Sequence, residues 1–375
     1  MSLKVLVIGA YGNFGSIICR HLVAMPDIEL TITGRDSRKL ASKLEALNTL
    51  SISPCKSWCG DAMGTGFADV LRAFQVEWVI HTAGPFQSQS YAVAQSCIQA
   101  GVNYCDLSDC RTFVNGISVL DDAARRAGVT VFSGCSSVPT LSSALIDKYR
   151  EQFQQIDSIM HGISSSAKMP GLSTVQGVLA YAGKPIKQLR NGRVQEVIGW
   201  QGLELRRMPY LGRRVLANVD VPDMDIFAQR YGAKTLMFKA GAGLKLGGLA
   251  NYVFAAANRA GLLRDRERWA QRLHRMGSYL ERFGDGKSAM YIDVHGTGLQ
   301  GNPLTLTLQL TAFDDKGPEI PSCASVALVA KVAKGESPEP GARSCVGFIG
   351  SDEYLDTIGE QDKLRLDVRF SGQQD

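Results

Sequence analysis

The sequence predicts an α/β chain: a doubly wound parallel sheet first, then an α+β domain built on a mixed or antiparallel sheet. Three observations carry that reading. The chain opens on an apolar run, Val5-Leu6-Val7-Ile8, that stops at a glycine. Apolar strands and helical stretches then alternate to about residue 140. Beyond that point the alternation fades and longer strand-like runs take over.

The opening run fits a strand buried on both faces. Gly9, Gly12 and Gly15 punctuate the turn after it, and Ser16–Leu22 reads as the helix that follows. In such a turn glycines permit close backbone approach, and the helix N-terminus offers free N–H groups and partial positive charge to a pyrophosphate. Gly9, Tyr11, Gly12, Asn13, Phe14 and Gly15 are therefore the candidate dinucleotide-binding turn. The spacing is G-x-x-G-x-x-G rather than the stricter G-x-G-x-x-G, and a glycine-rich turn can also be purely structural. Its place directly after a clean apolar strand favours the nucleotide.

Ile28–Thr33 reads as the second strand and ends at Gly34-Arg35-Asp36. A carboxylate here would hold the ribose 2′-OH of NAD, whereas an arginine accommodates the 2′-phosphate of NADP. Arg35 follows the glycine directly, with Arg38 and Lys39 just beyond. A guanidinium grips phosphate bidentately, so NADP is favoured over NAD. Asp36 suits a helix N-cap, which weakens it as an argument for NAD.

Further strands are predicted at Trp78–Ala83, Asn103–Asp106 and Val129–Phe132, with helices over 37–47, 67–74, 89–100 and 116–127. Ala83 and Gly84, small residues after one of these strands, would let a dinucleotide pass close to the backbone. Ligands of such sheets gather at the carboxyl ends of the strands. Past residue 140, strands are expected at 156–163, 194–200, 235–238, 290–295 and 304–313, and helices at 141–153, 174–182, 247–259, 267–283 and 322–333. Residues 336–341 read as a turn-rich connector and 364–370 as a half-exposed strand. The expected domains are a Rossmann domain over 1–139, a substrate domain over 140–320, and a segment 321–375 returning to pack on the Rossmann domain.

The 375 residues suffice for two domains. A formal charge of +5 and no dense Lys/Arg run argue against a nucleic-acid partner. Nine cysteines without repeating spacing, Cys55 and Cys59 included, make a poor zinc signature and fit free thiols in a reducing cytosol. Strand one begins at once, leaving no room for a signal peptide, and the apolar stretch 246–258 is too short to span a bilayer. A cytoplasmic location is expected, with no membrane span. The expected partners are a small-molecule substrate and, as an option, a second copy of the chain.

Several segments together resemble the saccharopine dehydrogenase-like superfamily. They are residues 7–15, Gly34-Arg35-Asp36, Thr82–Phe86, Ala100–Asp109 and the Ser-Gly-Cys-Ser-Ser-Val-Pro segment at 133–139. The match is good over about 145 residues and diffuse beyond, where 312–321 and 340–342 look like bacterial relatives of unassigned substrate. The resemblance implies a nicotinamide cofactor and hydride transfer to or from a small-molecule C=N, C=C or C=O group. It implies that Asp106 orients substrate and that Ser136 lies near the nicotinamide. Saccharopine-forming enzymes carry Gly-x-Asp-Pro-Gly where this chain has Cys135–Pro139, a departure that weighs against saccharopine as the substrate. The Ser-Val-Pro form looks more like relatives described as trans-acting enoyl reductases.

Hydride transfer asks the protein for orientation, a proton source and exclusion of water. Tyr104, Asp106, Asp109, His161, Lys168 and Tyr291 are the candidate acids. Asp109 could equally cap a helix, and His161 on an apolar strand reads first as a core histidine. Cys135 has no charged partner in sequence to make it a thiolate. No metal site is expected. An atypical short-chain dehydrogenase is the first alternative, but Tyr181–Lys184 and Tyr231–Lys234 are each one residue short of Tyr-x-x-x-Lys. The second alternative is a catalytically silent NADP-binding sensor or scaffold.

Overall fold

The computed structural model describes residues 2–166, 171–243, 245–262, 269, 272, 284–359 and 361–372. The chain divides into two compact units, Met1–Leu141 with Pro318–Ile358, and Ser142–Gly317 with Gly359–Asp375.

The first unit contains β1 (Leu3–Ile8), α1 (Asn13–Leu22), β2 (Ile28–Gly34), α2 (Ser37–Asn48), β3 (Lys56–Cys59) and α3 (Phe67–Ala73). It continues through β4 (Trp78–His81), α4 (Ala92–Ala100), β5 (Asn103–Asp106), α5 (Arg111–Gly116), α6 (Asp121–Ala127) and β6 (Thr130–Ser133). The strands lie in the order β3-β2-β1-β4-β5-β6, all parallel, and Gly341–Ser344 adds a seventh beside β6. Strand order reverses between β1 and β4. A doubly wound sheet opens its binding crevice at this switch point, outside the strands' carboxyl ends.

Burial explains the placement of β1. Leu6 and Val7, which point to opposite faces, are both fully buried, as only a central strand covered on two sides allows. Side chains of this size contribute roughly 1.5–3 kcal/mol each on burial. Leu6, Val79, Tyr104 and Val131 of successive strands share one core with Phe67, Leu71 and Ala342, so the C-terminal return completes the sheet. The helices begin and end where their sequence directs. Asp36 caps α2 by accepting from the Arg38 and Lys39 N–H groups, and Gly101 and Gly128 take left-handed conformations after α4 and α6.

The second unit is built on a nine-stranded sheet. Its longest strands, Phe153–Ser164, Ser288–Gly298 and Pro303–Ala312, are adjacent and antiparallel, whereas Thr235–Gly241 runs parallel to the first of them. The sheet is therefore mixed. Two hairpins belong to it, Pro185–Arg190 with Arg193–Ile198, of which the sequence predicts the second strand, and Glu204–Met208 with Gly212–Asn218, which it does not. The tail departs from the expected course. Only Pro318–Ile358 returns to the first unit, while the strand Leu364–Ser371 pairs with Pro303–Ala312 in the second sheet. The alternating run Leu364–Phe370 finds a ladder there. The expected helix over 267–283 lies almost wholly outside the described residues. No helix among the described residues is long and apolar enough to cross a membrane.

Candidate active site

The three glycines of the turn divide its labour. Gly9 has φ +82°, and a Cβ there would lie 2.8 Å from Thr82 Oγ1. A Cβ on Gly15 would lie 2.3 Å from the Gly9 carbonyl oxygen. Both positions therefore exclude side chains for internal reasons. Gly12 differs: its φ is −71°, and a Cβ would meet only the Gly9 oxygen, at 3.0 Å. Gly12 is the N-cap of α1 and is exposed together with Asn13. No side chain caps α1 and its first turn carries no acid, so its leading N–H groups and partial positive charge face outward uncompensated. An anion is what such a terminus accepts.

Thr82, to which the sequence reading gave no role of its own, holds this turn to the next strand. Its hydroxyl donates to the Ile8 carbonyl at 2.7 Å, tying the end of β4 to the end of β1. Ala83 and Gly84 follow, both partly exposed, and the Gln89 amide donates to the Ala83 carbonyl at 2.6 Å. The turn after β1 and the loop after β4 therefore stand side by side at the switch point.

The end of β2 forms the second part of the site. Tyr11 lies across Gly34 so closely that a Cβ there would fall 2.2 Å from its ring. Its hydroxyl accepts from the Arg35 and Asp36 N–H groups, each at 3.1 Å. Tyr11, Arg35, Asp36, Ser37 and Arg38 line an open hollow of about 510 Å³, with both guanidinium groups on exposed residues. The Asp36 carboxylate is engaged in capping α2, at 3.1 Å from each of two N–H groups. Of the cations near β2, Arg35 and Arg38 line the hollow, whereas Lys39 reaches back toward Asp36 at 3.8 Å.

Asp106 sits at the carboxyl end of β5 as expected, but not as a group that can touch substrate. It is fully buried, and its Oδ1 accepts from Ser108 N–H (2.9 Å), Ser133 Oγ (3.0 Å) and Gly134 N–H (3.0 Å). The carboxylate thus ties β5 to the turn after β6. Burial raises its pKa to about 6, with those hydrogen bonds pulling the other way. The expectation that Asp106 orients substrate by contact is corrected on this ground. Ser136, on the same turn, is only 6% exposed.

The other candidate acids are dispersed. Tyr104 is buried, its hydroxyl 3.1 Å from His81 Nδ1, and burial lowers the His81 pKa to about 4, leaving a neutral imidazole at pH 7. Asp109 is exposed and does not cap α5, whose N-cap is Cys110. His161 is fully buried between Phe227 and Phe238, with Nε2 3.1 Å from Asp223 Oδ1. Tyr291 is buried under the Arg206 guanidinium, 3.7 Å above its ring. Lys168 lies outside the described residues. Cys135 is buried among the thiols of Cys105 and Cys345, and burial pushes its pKa far up, so it is no thiolate.

A doubly wound sheet with an open helix terminus at its switch point is an architecture that takes a dinucleotide, and the family match gives the class, an NAD(P)-dependent oxidoreductase. Residues 5–132, about a third of the chain, match the family model described as the saccharopine dehydrogenase NADP binding domain, which supports NADP as the cofactor. Among solved structures, apo saccharopine dehydrogenase (L-Glu forming) from Saccharomyces cerevisiae is similar at TM-score 0.66 and 15% identity, covering 98% of this chain and 100% of that one. That likeness establishes the fold. A probable dehydrogenase from Thermotoga maritima aligns at TM-score 0.45 and 10% identity, over 95% of this chain and 93% of its own. No curated protein sequence matches the chain.

The residues present fit NADP on two observations of this structure. Gly12 is exposed at the uncapped start of α1, and the hollow at β2 presents Arg35 and Arg38 while Asp36 Oδ1 is engaged by two N–H groups of α2.

Proposed function

We propose that the chain catalyses NADPH-linked hydride transfer to or from a C=N, C=C or C=O group of a small molecule. The observation that carries this reading is the uncapped N-terminus of α1 behind Gly12, beside the Thr82–Gly84 loop. Gly9, Tyr11, Gly12, Asn13, Phe14 and Gly15 would receive the pyrophosphate, and Arg35 with Arg38 the 2′-phosphate. Ala83 and Gly84 would border the dinucleotide. Ser136 would approach the nicotinamide from a turn that Asp106 fixes. Bound NADPH supplies the hydride; the protein supplies orientation and a proton source.

Asp106 is a positioning residue in this account. Its three accepted hydrogen bonds set the conformation of Ser133–Gly134, and hence of the turn carrying Ser136. The proton source is not among the buried side chains Tyr104, Asp106, His161 and Tyr291, and water bound beside the nicotinamide would fill the role. The test is NADPH oxidation against a panel of cyclic imines, enals and 2-keto acids. Turnover with one class, dependent on NADPH, is expected. Tight NADPH binding without turnover on any member would support the silent sensor instead.

A further inference from the structure

We propose that His21, Glu319 and Cys323 form a site for a zinc-type divalent cation, at the end of α1 opposite the glycine turn. Their ligand atoms (one ring nitrogen, one carboxylate oxygen and one sulfur) all lie within 4.8 Å of one another. His21 is in the last turn of α1; Glu319 and Cys323 are on the helix Glu319–Ala333 and four positions apart, so they share one face. A mixed nitrogen, oxygen and sulfur set with three protein ligands is the kind that Zn²⁺ accepts, leaving a fourth position for water.

The spacing is close to what the ion requires. His21 Nε2 is 2.8 Å from Glu319 Oε2 and 3.9 Å from Cys323 Sγ. Tetrahedral zinc with bonds of about 2.1 Å to nitrogen or oxygen and 2.3 Å to sulfur separates its ligand atoms by roughly 3.4–3.6 Å. The His21–Glu319 distance lies below that range and the His21–Cys323 distance above it, with the third pair within 4.8 Å, so side-chain shifts of up to about an ångström would close the site.

The surroundings point the same way. Glu319 is 5% exposed and Cys323 is fully buried, while His21 reaches the surface and gives an ion a way in. A buried carboxylate is costly unless its charge is compensated. Arg20 pairs with Glu319 Oε1, which anchors the carboxylate and leaves Oε2 toward His21. Binding would displace the Cys323 thiol proton and the proton shared between His21 Nε2 and Glu319 Oε2. Both protons go to solvent if His21 starts protonated; if it starts neutral, its ring proton moves to Nδ1. No oxidation occurs. Neither His21, Glu319 nor Cys323 belongs to the cofactor site, so the ion would fasten α1 to the C-terminal return rather than enter hydride transfer.

The test uses the full chain, stripped with a chelator and then titrated with Zn²⁺ in competition with a chromophoric chelator, and separately with Co²⁺. One equivalent of bound Zn²⁺ is expected, with a sulfur-to-cobalt charge-transfer band in the near ultraviolet for the Co²⁺ form. Cys323→Ser should abolish that band, and both Cys323→Ser and His21→Gln should weaken Zn²⁺ binding at least tenfold. NADPH affinity, read at the other end of α1, reports whether each variant is folded. A Co²⁺ form of the parent protein without the sulfur band would overturn the proposal whatever the variants do. Unchanged Zn²⁺ affinity in folded His21→Gln would also overturn it.

Discussion

At the scale of single residues Arg35 and Asp36 matter most, and the N-cap role that the sequence offers Asp36 is the one it takes. Arg35 and Asp36 adjoin one another after β2, and either could choose the cofactor. The structure gives the carboxylate to the α2 cap and leaves the guanidinium exposed in the hollow. Arg35→Ala should therefore weaken NADPH at least tenfold while changing NADH little, as measured by nicotinamide fluorescence titration. Equal losses would remove Arg35 from the 2′-phosphate site. Asp106 was legible as a strand-end carboxylate but not as a buried one. Its donors Ser133 and Gly134 come from a strand well along the chain, and only the parallel pairing of β5 with β6 brings them to it. The raised pKa of Asp106 carries a definite sign. Its native pKa of about 6 exceeds the ordinary 3.8, so its contribution is full below pH 3.8 and is lost as pH rises through 6. That difference is on the order of 3 kcal/mol. His81, with its pKa lowered to about 4, acts oppositely, losing stability as pH falls from 6.5. Comparing Asp106→Asn with the parent cancels the histidine term. Denaturant titrations should show the parent losing stability relative to the variant between about pH 4 and pH 6. A difference flat across that range would contradict the buried, raised carboxylate.

At the scale of elements, β1, α1 and the strands through β6 were readable because apolar runs, glycine stops and helical periods coincide there. The seventh strand was not. Gly341–Ser344 is four residues without an apolar pattern, and it exists because Thr130–Ser133 presents an open edge to it. The hairpin Glu204–Met208 with Gly212–Asn218 escaped for another reason. Cross-strand arginines, Arg206 opposite Arg214 and Arg207 opposite Arg213, break the apolar alternation that announces a strand. Two of the four are neutralised at long range, Arg206 by Asp293 and Arg214 by Asp285, each at 2.5 Å. The α1 turn makes a prediction of its own. Gly15→Ala would drive a Cβ into the Gly9 carbonyl and should cost about 2 kcal/mol or more of stability. The cap gives a smaller effect: Asp36→Ala should cost about 1 kcal/mol by thermal or denaturant unfolding. It should leave NADH affinity unchanged, because the carboxylate serves the helix rather than a ribose. A selective loss of NADH binding would show the opposite.

At the scale of the whole molecule, the chain builds one parallel sheet from its first 141 residues and a return segment, and a mixed sheet from most of the remainder. The first was evident in sequence because its contacts follow chain order. The destination of the tail was not, since a half-exposed alternating strand is compatible with any sheet that has a free edge. The family match likewise covers the first sheet, residues 5–132, which carries the nucleotide site but not the choice of substrate. The central claim is that NADPH lies across the glycine turn with its pyrophosphate on α1. Gly12 best separates this from a purely structural turn: its φ of −71° suits any residue and a Cβ would press only on the Gly9 carbonyl oxygen, at 3.0 Å, whereas Gly9 and Gly15 meet closer internal contacts. The decisive measurement is NADPH binding by calorimetric titration of the parent and of Gly12→Val, with circular dichroism of each. The account predicts a folded variant that has lost NADPH affinity by at least a hundredfold; a folded variant that binds NADPH as the parent does would contradict it.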